Sequence, residues 1–247
     1  MWEFLAWTEP GRFIVGMDSK EPEKSYFPVF MDLAGTRAAC LGEGHEIENR
    51  VQRLLECGAT VYHVTLSQEG STRMQRHDPG PIPEAAYQNP DFRNLHWIRD
   101  MRLVIVEPGY LVNQQHWTGD ELLEACNKNN TLLCVLDRKK YCNYISPAVL
   151  AKGPFQIAIS SSGVSPSLSV YMKERIKEDL LTEEMAQLAY FFKKYRPMVS
   201  ERIPGLQDRR AFYISALQTD LADHLAESEE KAVERFQHLL ESYLKKK

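Results

Sequence analysis

The stretch from Arg37 to Leu66 restricts the fold of this chain more than any other. Arg37-Ala-Ala-Cys-Leu41 is a short apolar run that stops at Gly42-Glu-Gly44. In His45–Cys57 the residues Ile47, Val51, Leu54 and Leu55 fall on one helical stripe. Gly58 is placed to end that helix. Ala59-Thr-Val-Tyr-His-Val-Thr-Leu66 is rich in β-branched residues and reads as a strand. Strand, glycine turn, helix and strand form a βαβ unit, whose crossover is right-handed and whose strands lie parallel.

Downstream patterns extend that unit. Leu103–Val106 reads as a buried strand halted at Pro108-Gly109, Gly119–Lys128 as a short helix, and Thr131–Leu136 as a strand ending at Asp137. Residues 67–94, with Gly70, Pro79, Gly80, Pro81, Pro83 and Pro90, read as one long loop. Phe155–Ile159 is a further strand, and Ser165-Pro166 opens a helix to about Leu181, with serine as N-cap and proline first in the helix. After Thr182 strand signals cease. Helices are expected over 183–196, 208–226 and 228–246, parted by Pro197, by Pro204-Gly205 and by a Glu-rich restart near Ser228. Residues 1–25 show no sustained period and read as an extension. The expected layout is an α/β Rossmann-like parallel-sheet domain followed by an all-helical tail.

Composition narrows the function classes. The chain of 247 residues carries 30 basic and 34 acidic side chains, a net charge of -4. That balance argues against a general nucleic-acid binder. Apolar runs stay far below the roughly 20 residues a membrane span needs, and Met1–Trp7 lacks the basic start of a secretory signal. Five scattered cysteines without a Cys-x-x-Cys pair read as reduced thiols of a cytoplasmic protein. No histidine pair has zinc-type spacing, so no structural zinc is expected.

Four segments could carry chemistry. Gly42, Glu43 and Gly44 lie between a strand and a helix, where a dinucleotide pyrophosphate rests on a helix N-terminus. A merely tight turn explains them equally well, because Ile47 holds the third glycine position and no acid ends the second strand at Thr65-Leu-Ser67. Asp137, at the carboxyl end of a strand, suits a general base or metal ligand, or a loop carboxylate paired with Arg138 or Lys139. Ser160, Ser161, Ser162 and Ser165 offer hydroxyls and free N–H groups to an anion, or cap a helix, or both. Lys193, Lys194, Arg196, Arg202, Arg209 and Arg210 cluster in the tail, where they serve a polyanion or a solvated face.

Taken together, several segments resemble the precorrin-2 dehydrogenase/sirohydrochlorin ferrochelatase family, which is also the N-terminal module of siroheme synthase. They are Tyr26-Phe-Pro-Val-Phe-Met-Asp-Leu-Ala-Gly35, Gly42-Glu-Gly44, Val51–Val61, Asp137 through Tyr144-Ile-Ser-Pro-Ala148, and Gly153-Pro-Phe-Gln-Ile-Ala-Ile-Ser-Ser-Ser-Gly-Val-Ser-Pro-Ser-Leu168. Lys173-Glu-Arg-Ile, Arg209-Arg-Ala-Phe212 and Glu229-Glu-Lys-Ala232 continue the likeness, which covers roughly 26–247 and is poor over 67–130. It implies a Rossmann-like domain over 26–148, a dimerisation segment over 149–182 and a helical domain over 183–247, in an interlocked homodimer. It implies NAD-dependent oxidation of precorrin-2 to sirohydrochlorin and, in some members, insertion of Fe²⁺ as a substrate metal to give siroheme. Asp137 matches the catalytic aspartate, a base with a transient role toward the metal. Ser161 matches a serine of the tetrapyrrole pocket, and Gly42 and Gly44 match glycines under the NAD pyrophosphate. The family usually has glycine at Glu43, a small residue at Ile47, and a Thr/Ala-rich segment where Val106-Glu-Pro-Gly109 stands. A carboxylate and extra bulk there should weaken pyrophosphate binding. A chelatase without NAD-dependent activity and a non-catalytic tetrapyrrole-binding protein are therefore the two other expectations.

Overall fold

In a computed structural model of the chain, residues 26–67, 71–79 and 90–246 are described. The expected extension over 1–25 and the proline-rich stretch from Gly80 to Asn89 lie outside them.

The βαβ unit forms as β1 (Arg37–Leu41), α1 (His45–Glu56) and β2 (Thr60–Leu66), followed by β3 (Thr72–His77) and β4 (Leu103–Val106). Next come α2 (Pro108–Asn113), α3 (Gly119–Lys128) and β5 (Leu132–Val135). The sheet order is β3-β2-β1-β4-β5. β2, β1, β4 and β5 run parallel, with Ala38 opposite both Val61 and Leu103. Because the order reverses at β1, a crevice opens between the carboxyl ends of β1 and β4, where open α/β sheets bind ligands.

The parallel strands are apolar on both faces, as strands covered on both sides must be. Ala38, Cys40, Val61, Leu103 and Ile105 pack against Ile47, Val51 and Leu54 of α1. Ala39, Leu41, Val64, Val104 and Val106 face Trp97, Trp117 and Leu122 on the other side. A reciprocal capping box between Thr118 and Glu121 fixes the start of α3.

The sequence reading of 67–94 as one loop is corrected by β3, which turns back antiparallel to β2. Its residues Thr-Arg-Met-Gln-Arg-His are half exposed and mostly polar, as suits an edge strand, so they carry no apolar signal. Pro108 halts β4 but also opens α2, its missing N–H falling where a helix lacks a partner anyway.

Beyond the sheet, β6 (Ala148–Lys152) and β7 (Phe155–Ile159) form a separate antiparallel ribbon, of which only β7 was expected. α4 (Pro166–Asp179) packs on this ribbon. The ribbon's turn at Gly153 is pressed against α5 (Glu183–Arg202), so that a Cβ there would come within 2.8 Å of Ala186. α6 (Leu206–Leu217), α7 (Leu221–Glu227) and α8 (Glu229–Lys245) complete the helical part. Its core is aromatic: fully buried Phe236 meets Phe191 and Phe212 with ring centroids 5.4 and 5.3 Å apart. Two helix boundaries differ from expectation. Pro197 lies inside α5 rather than ending a helix at 196, and the single helix expected over 208–226 divides into α6 and α7. Val199 is fully buried one turn-fraction past the proline, so tertiary packing holds α5 together across it.

Candidate active site

The carboxyl edge of the sheet carries two groups of residues. At the end of β1 the chain turns through Gly42 and Gly44, with φ of 123° and 97°. Both values suit glycine and strain any other residue. Gly42 is hemmed in: its N–H donates to the Val64 carbonyl at 2.8 Å, and an added Cβ would lie 2.3 Å from Cβ of Glu107. Gly44 is open, with nothing within 4 Å of a Cβ placed on it. It is also the N-cap of α1, and no side chain caps that helix. The first N–H groups of α1 therefore face outward without a side-chain acceptor, an arrangement that accepts an anion. This is an observation of fit for a dinucleotide pyrophosphate over Gly42, Glu43 and Gly44.

Two expectations about this turn change. Ile47 is fully buried among Val51, Leu54 and the β1 residues Ala38 and Cys40, so its bulk is taken up by the core beneath α1. It does not project at the pyrophosphate position. Glu107, noted in sequence only as a departure, is folded back on its own chain: its carboxylate accepts from the N–H groups of Gly109 and Tyr110, both at 2.8 Å, and caps α2. Glu43 stands exposed on the turn, as its position predicts.

The second group surrounds a cavity of about 490 Å³ lined by Asp137, Arg138 and Lys139 together with Ser160, Ser161 and Gly163. The sheet edge and the ribbon thus meet there. Asp137 is exposed, in a left-handed conformation with φ of 54°. Such backbone costs about 1 kcal/mol or more for a residue with a Cβ and gathers at functional sites. Among the described residues Asp137 has no ion-pair partner, Arg138 and Lys139 included. Lys139 instead reaches across the cavity, its Nζ donating to the Ser162 carbonyl at 2.9 Å.

The serine segment is braced internally. Ser160 Oγ accepts from Ser162 N at 3.0 Å, Ser161 Oγ accepts from Ser165 N at 2.9 Å, and Ser165 caps α4. Ser162, also left-handed with φ of 55°, contributes its backbone carbonyl rather than its hydroxyl. Ser160 and Ser161 line the cavity, whereas Ser162 and Ser165 shape it from behind. The basic residues Lys193, Lys194, Arg196, Arg202, Arg209 and Arg210 are not among its lining residues. Lys194 pairs with Glu229, and Arg209 donates to the carbonyls of Ile203 and Pro204 at 3.0 and 2.6 Å.

Sequence reasoning missed Arg50, whose guanidinium donates to Ser146 Oγ at 2.5 Å and to Glu46 at 3.2 Å while lining the same cavity. Ninety-six residues separate that pair, and no local pattern announces it. Cys134 and Cys142 form part of the cavity wall, and Val135 N donates to Cys142 Sγ at 3.2 Å. The Cys134 thiol is held far above its ordinary range by its contact with Cys142 and then by burial, so it stays protonated. Burial likewise raises the Tyr144 hydroxyl. Among the described residues no cluster of three or more His, Cys, Asp or Glu could hold a resident metal, and no helix is long and apolar enough to cross a membrane.

Two family models match parts of the chain. A family described as putative NAD(P)-binding matches residues 29–148, and one described as the sirohaem synthase dimerisation region matches 184–240. A siroheme synthase of Neisseria meningitidis serogroup C (strain 053442) is 30% identical over 192 residues, 76% of this chain and 37% of that protein. One of Nitrosococcus oceani is 24% identical over 211 residues, 85% of this chain and 42% of its own length. The chain spans about two fifths of the length of the curated relatives it matches. Among solved structures, SirC, precorrin-2 dehydrogenase, superimposes with a TM-score of 0.51 at 19% identity, covering 88% of this chain and 100% of that one, which bears on the fold. The matched segments carry both the glycine turn and Asp137, and over about two fifths of their length the siroheme synthases are what this chain is similar to, through a putative NAD(P)-binding region and a sirohaem synthase dimerisation region.

Proposed function

We propose that this chain works in siroheme biosynthesis, oxidising precorrin-2 to sirohydrochlorin with a nicotinamide dinucleotide, and that the same cavity admits Fe²⁺ as a substrate metal for insertion. One observation carries the reading: Asp137 has no ion-pair partner among the described residues and stands on strained backbone, in a cavity it shares with Ser160, Ser161, Arg50, Arg138 and Lys139.

The chemistry follows from those groups. A tetrapyrrole bearing several carboxylates finds cations at Arg50, Arg138 and Lys139 and hydroxyls at Ser160 and Ser161, which orient it by charge-assisted hydrogen bonds. Among the described residues that line the cavity, Asp137 is then a carboxylate without an ion-pair partner, placed to act as a base beside the macrocycle. It takes a proton from carbon as the substrate is oxidised, and protons from pyrrole nitrogen when a metal enters. Gly42, Gly44 and the open start of α1 would hold the dinucleotide pyrophosphate, and the cofactor supplies the hydride acceptor when bound. The helical part is proposed to join two such chains as a homodimer.

Asp137→Asn keeps shape and removes basicity. It should lower both precorrin-2 oxidation and Fe²⁺ insertion into sirohydrochlorin by about 10²-fold or more, measured by absorbance of the tetrapyrrole. Equal rates for the variant and the unaltered protein would refute the assignment. Exposed Glu43 beside the α1 N-terminus favours a second reading, a chelatase without dinucleotide chemistry; insertion without any dinucleotide binding would select it. A non-catalytic tetrapyrrole-binding role survives only if neither reaction exceeds its uncatalysed rate.

A further inference from the structure

The β2–β3 hairpin stands where a dinucleotide places its adenosine ribose. In Rossmann folds an acid at the end of the second strand binds the ribose hydroxyls of NAD, whereas an arginine nearby accommodates the 2′-phosphate of NADP. Here the strand ends Thr65-Leu66-Ser67, with no acid.

Register and alternation locate Arg73. Val61 lies on the α1 side of the sheet, with Ile47 and Val51. Side chains alternate, so His63 and Thr65 share that side, together with their cross-strand partners Gln75 and Arg73. His63 Nε2 lies 2.9 Å from the Gly42 carbonyl, which sets this side of β2 directly against the glycine turn. Thr65 and Arg73 lie one step further toward the carboxyl edge, about 7 Å beyond His63 and past the pyrophosphate position. Arg73 is exposed and has no ion-pair partner among the described residues. The hairpin beneath it is braced by Ser67, which donates its N–H to the Ser71 carbonyl at 2.8 Å and shares a 2.6 Å hydroxyl contact with Ser71. Arg76, by contrast, is tied to Asp78 at 3.0 Å on the opposite side and end of the hairpin.

We propose that Arg73, on the edge strand β3, makes this chain select NADP over NAD by receiving the 2′-phosphate, with the Ser67 and Ser71 hydroxyls beside it. The proposal rests on the dinucleotide reading above and specifies it. Ordinary salt dependence follows, because an exposed guanidinium acting on a phosphate is screened.

Isothermal titration of the full chain with NADP⁺ and NAD⁺, and with the fragments 2′,5′-ADP and 5′-ADP, tests it without any turnover. NADP⁺ should bind about tenfold or more tightly than NAD⁺ at low salt, and 2′,5′-ADP should exceed 5′-ADP by a similar ratio. Arg73→Ala should abolish both ratios and leave NAD⁺ binding unchanged, while Arg73→Lys should retain part of them. Arg73 is exposed, so circular dichroism should show these variants folded. Equal affinity for NADP⁺ and NAD⁺, or a preference that survives in Arg73→Ala, overturns the proposal and leaves the dinucleotide reading standing. Absence of binding by all four probes at millimolar concentration overturns the dinucleotide reading itself, and with it the role of Arg73.

Discussion

At the scale of single residues, the two glycines of the turn do different work. Gly42 needs its missing side chain because Glu107 occupies the space, with Cβ of Glu107 only 2.3 Å from an added methyl. Gly44 needs it only for its φ of 97° and for access to the α1 N-terminus. Gly42→Ala should therefore destabilise the protein by about 2–4 kcal/mol, combining backbone strain with overpacking. Gly44→Ala should cost about 1 kcal/mol, from backbone strain alone. Urea titrations of the two variants measure the difference, and equal costs would contradict this account. Asp137 and Ser160–Ser162 were visible in sequence because they belong to segments that carry the family likeness. Arg50, Lys139 and Glu107 were not, since each matters through a partner that only the fold supplies: Ser146, the Ser162 carbonyl, and the amides of Gly109 and Tyr110.

At the scale of elements, periodicity decided what could be read. α1 places Ile47, Val51 and Leu54 on one stripe, and β4 is apolar throughout, so both were legible. β3 was not, because an edge strand with Arg73, Gln75 and Arg76 has no apolar run to detect. The local rule for proline also failed at Pro197, whose exposed ring sits inside α5 while Leu188, Phe191 and Val199 hold the helix to its neighbours. Proline there removes the hydrogen bond to the Lys193 carbonyl and crowds it, at a cost of up to about 3 kcal/mol. Pro197→Ala should thus raise stability by about 1–3 kcal/mol, visible as a higher denaturation midpoint. A lower midpoint would mean that the proline shapes α5 for a contact that a straight helix cannot make.

At the scale of the whole molecule, the buried thiols and phenols set an alkaline limit. Burial pushes Cys40 and Cys126 from 9.0 up to about 12, and Tyr110 from 10.0 to about 12. Below about pH 8 these groups are protonated in both folded and unfolded chains, and stability is unaffected by pH through them. Between about pH 8 and 12 the unfolded chain loses protons that the folded one keeps, so stability must fall as pH rises. Denaturant midpoints measured from pH 8 to 11 should be level at first and then decline, and a flat profile to pH 11 would contradict the burial of these groups. The domain order was legible because the change from period-two to helical patterning is written along the chain. How the ribbon β6–β7 comes to line one cavity with Asp137 was not, because it depends on contacts between segments distant in sequence. Glu107 has one more consequence. Of the two helix starts that flank the β1–β4 crevice, the chain's own carboxylate already fills that of α2, while that of α1 stays open. The crevice is therefore polarised like a keyed socket: it offers free N–H groups on its α1 side and a carboxylate-filled helix start on its α2 side.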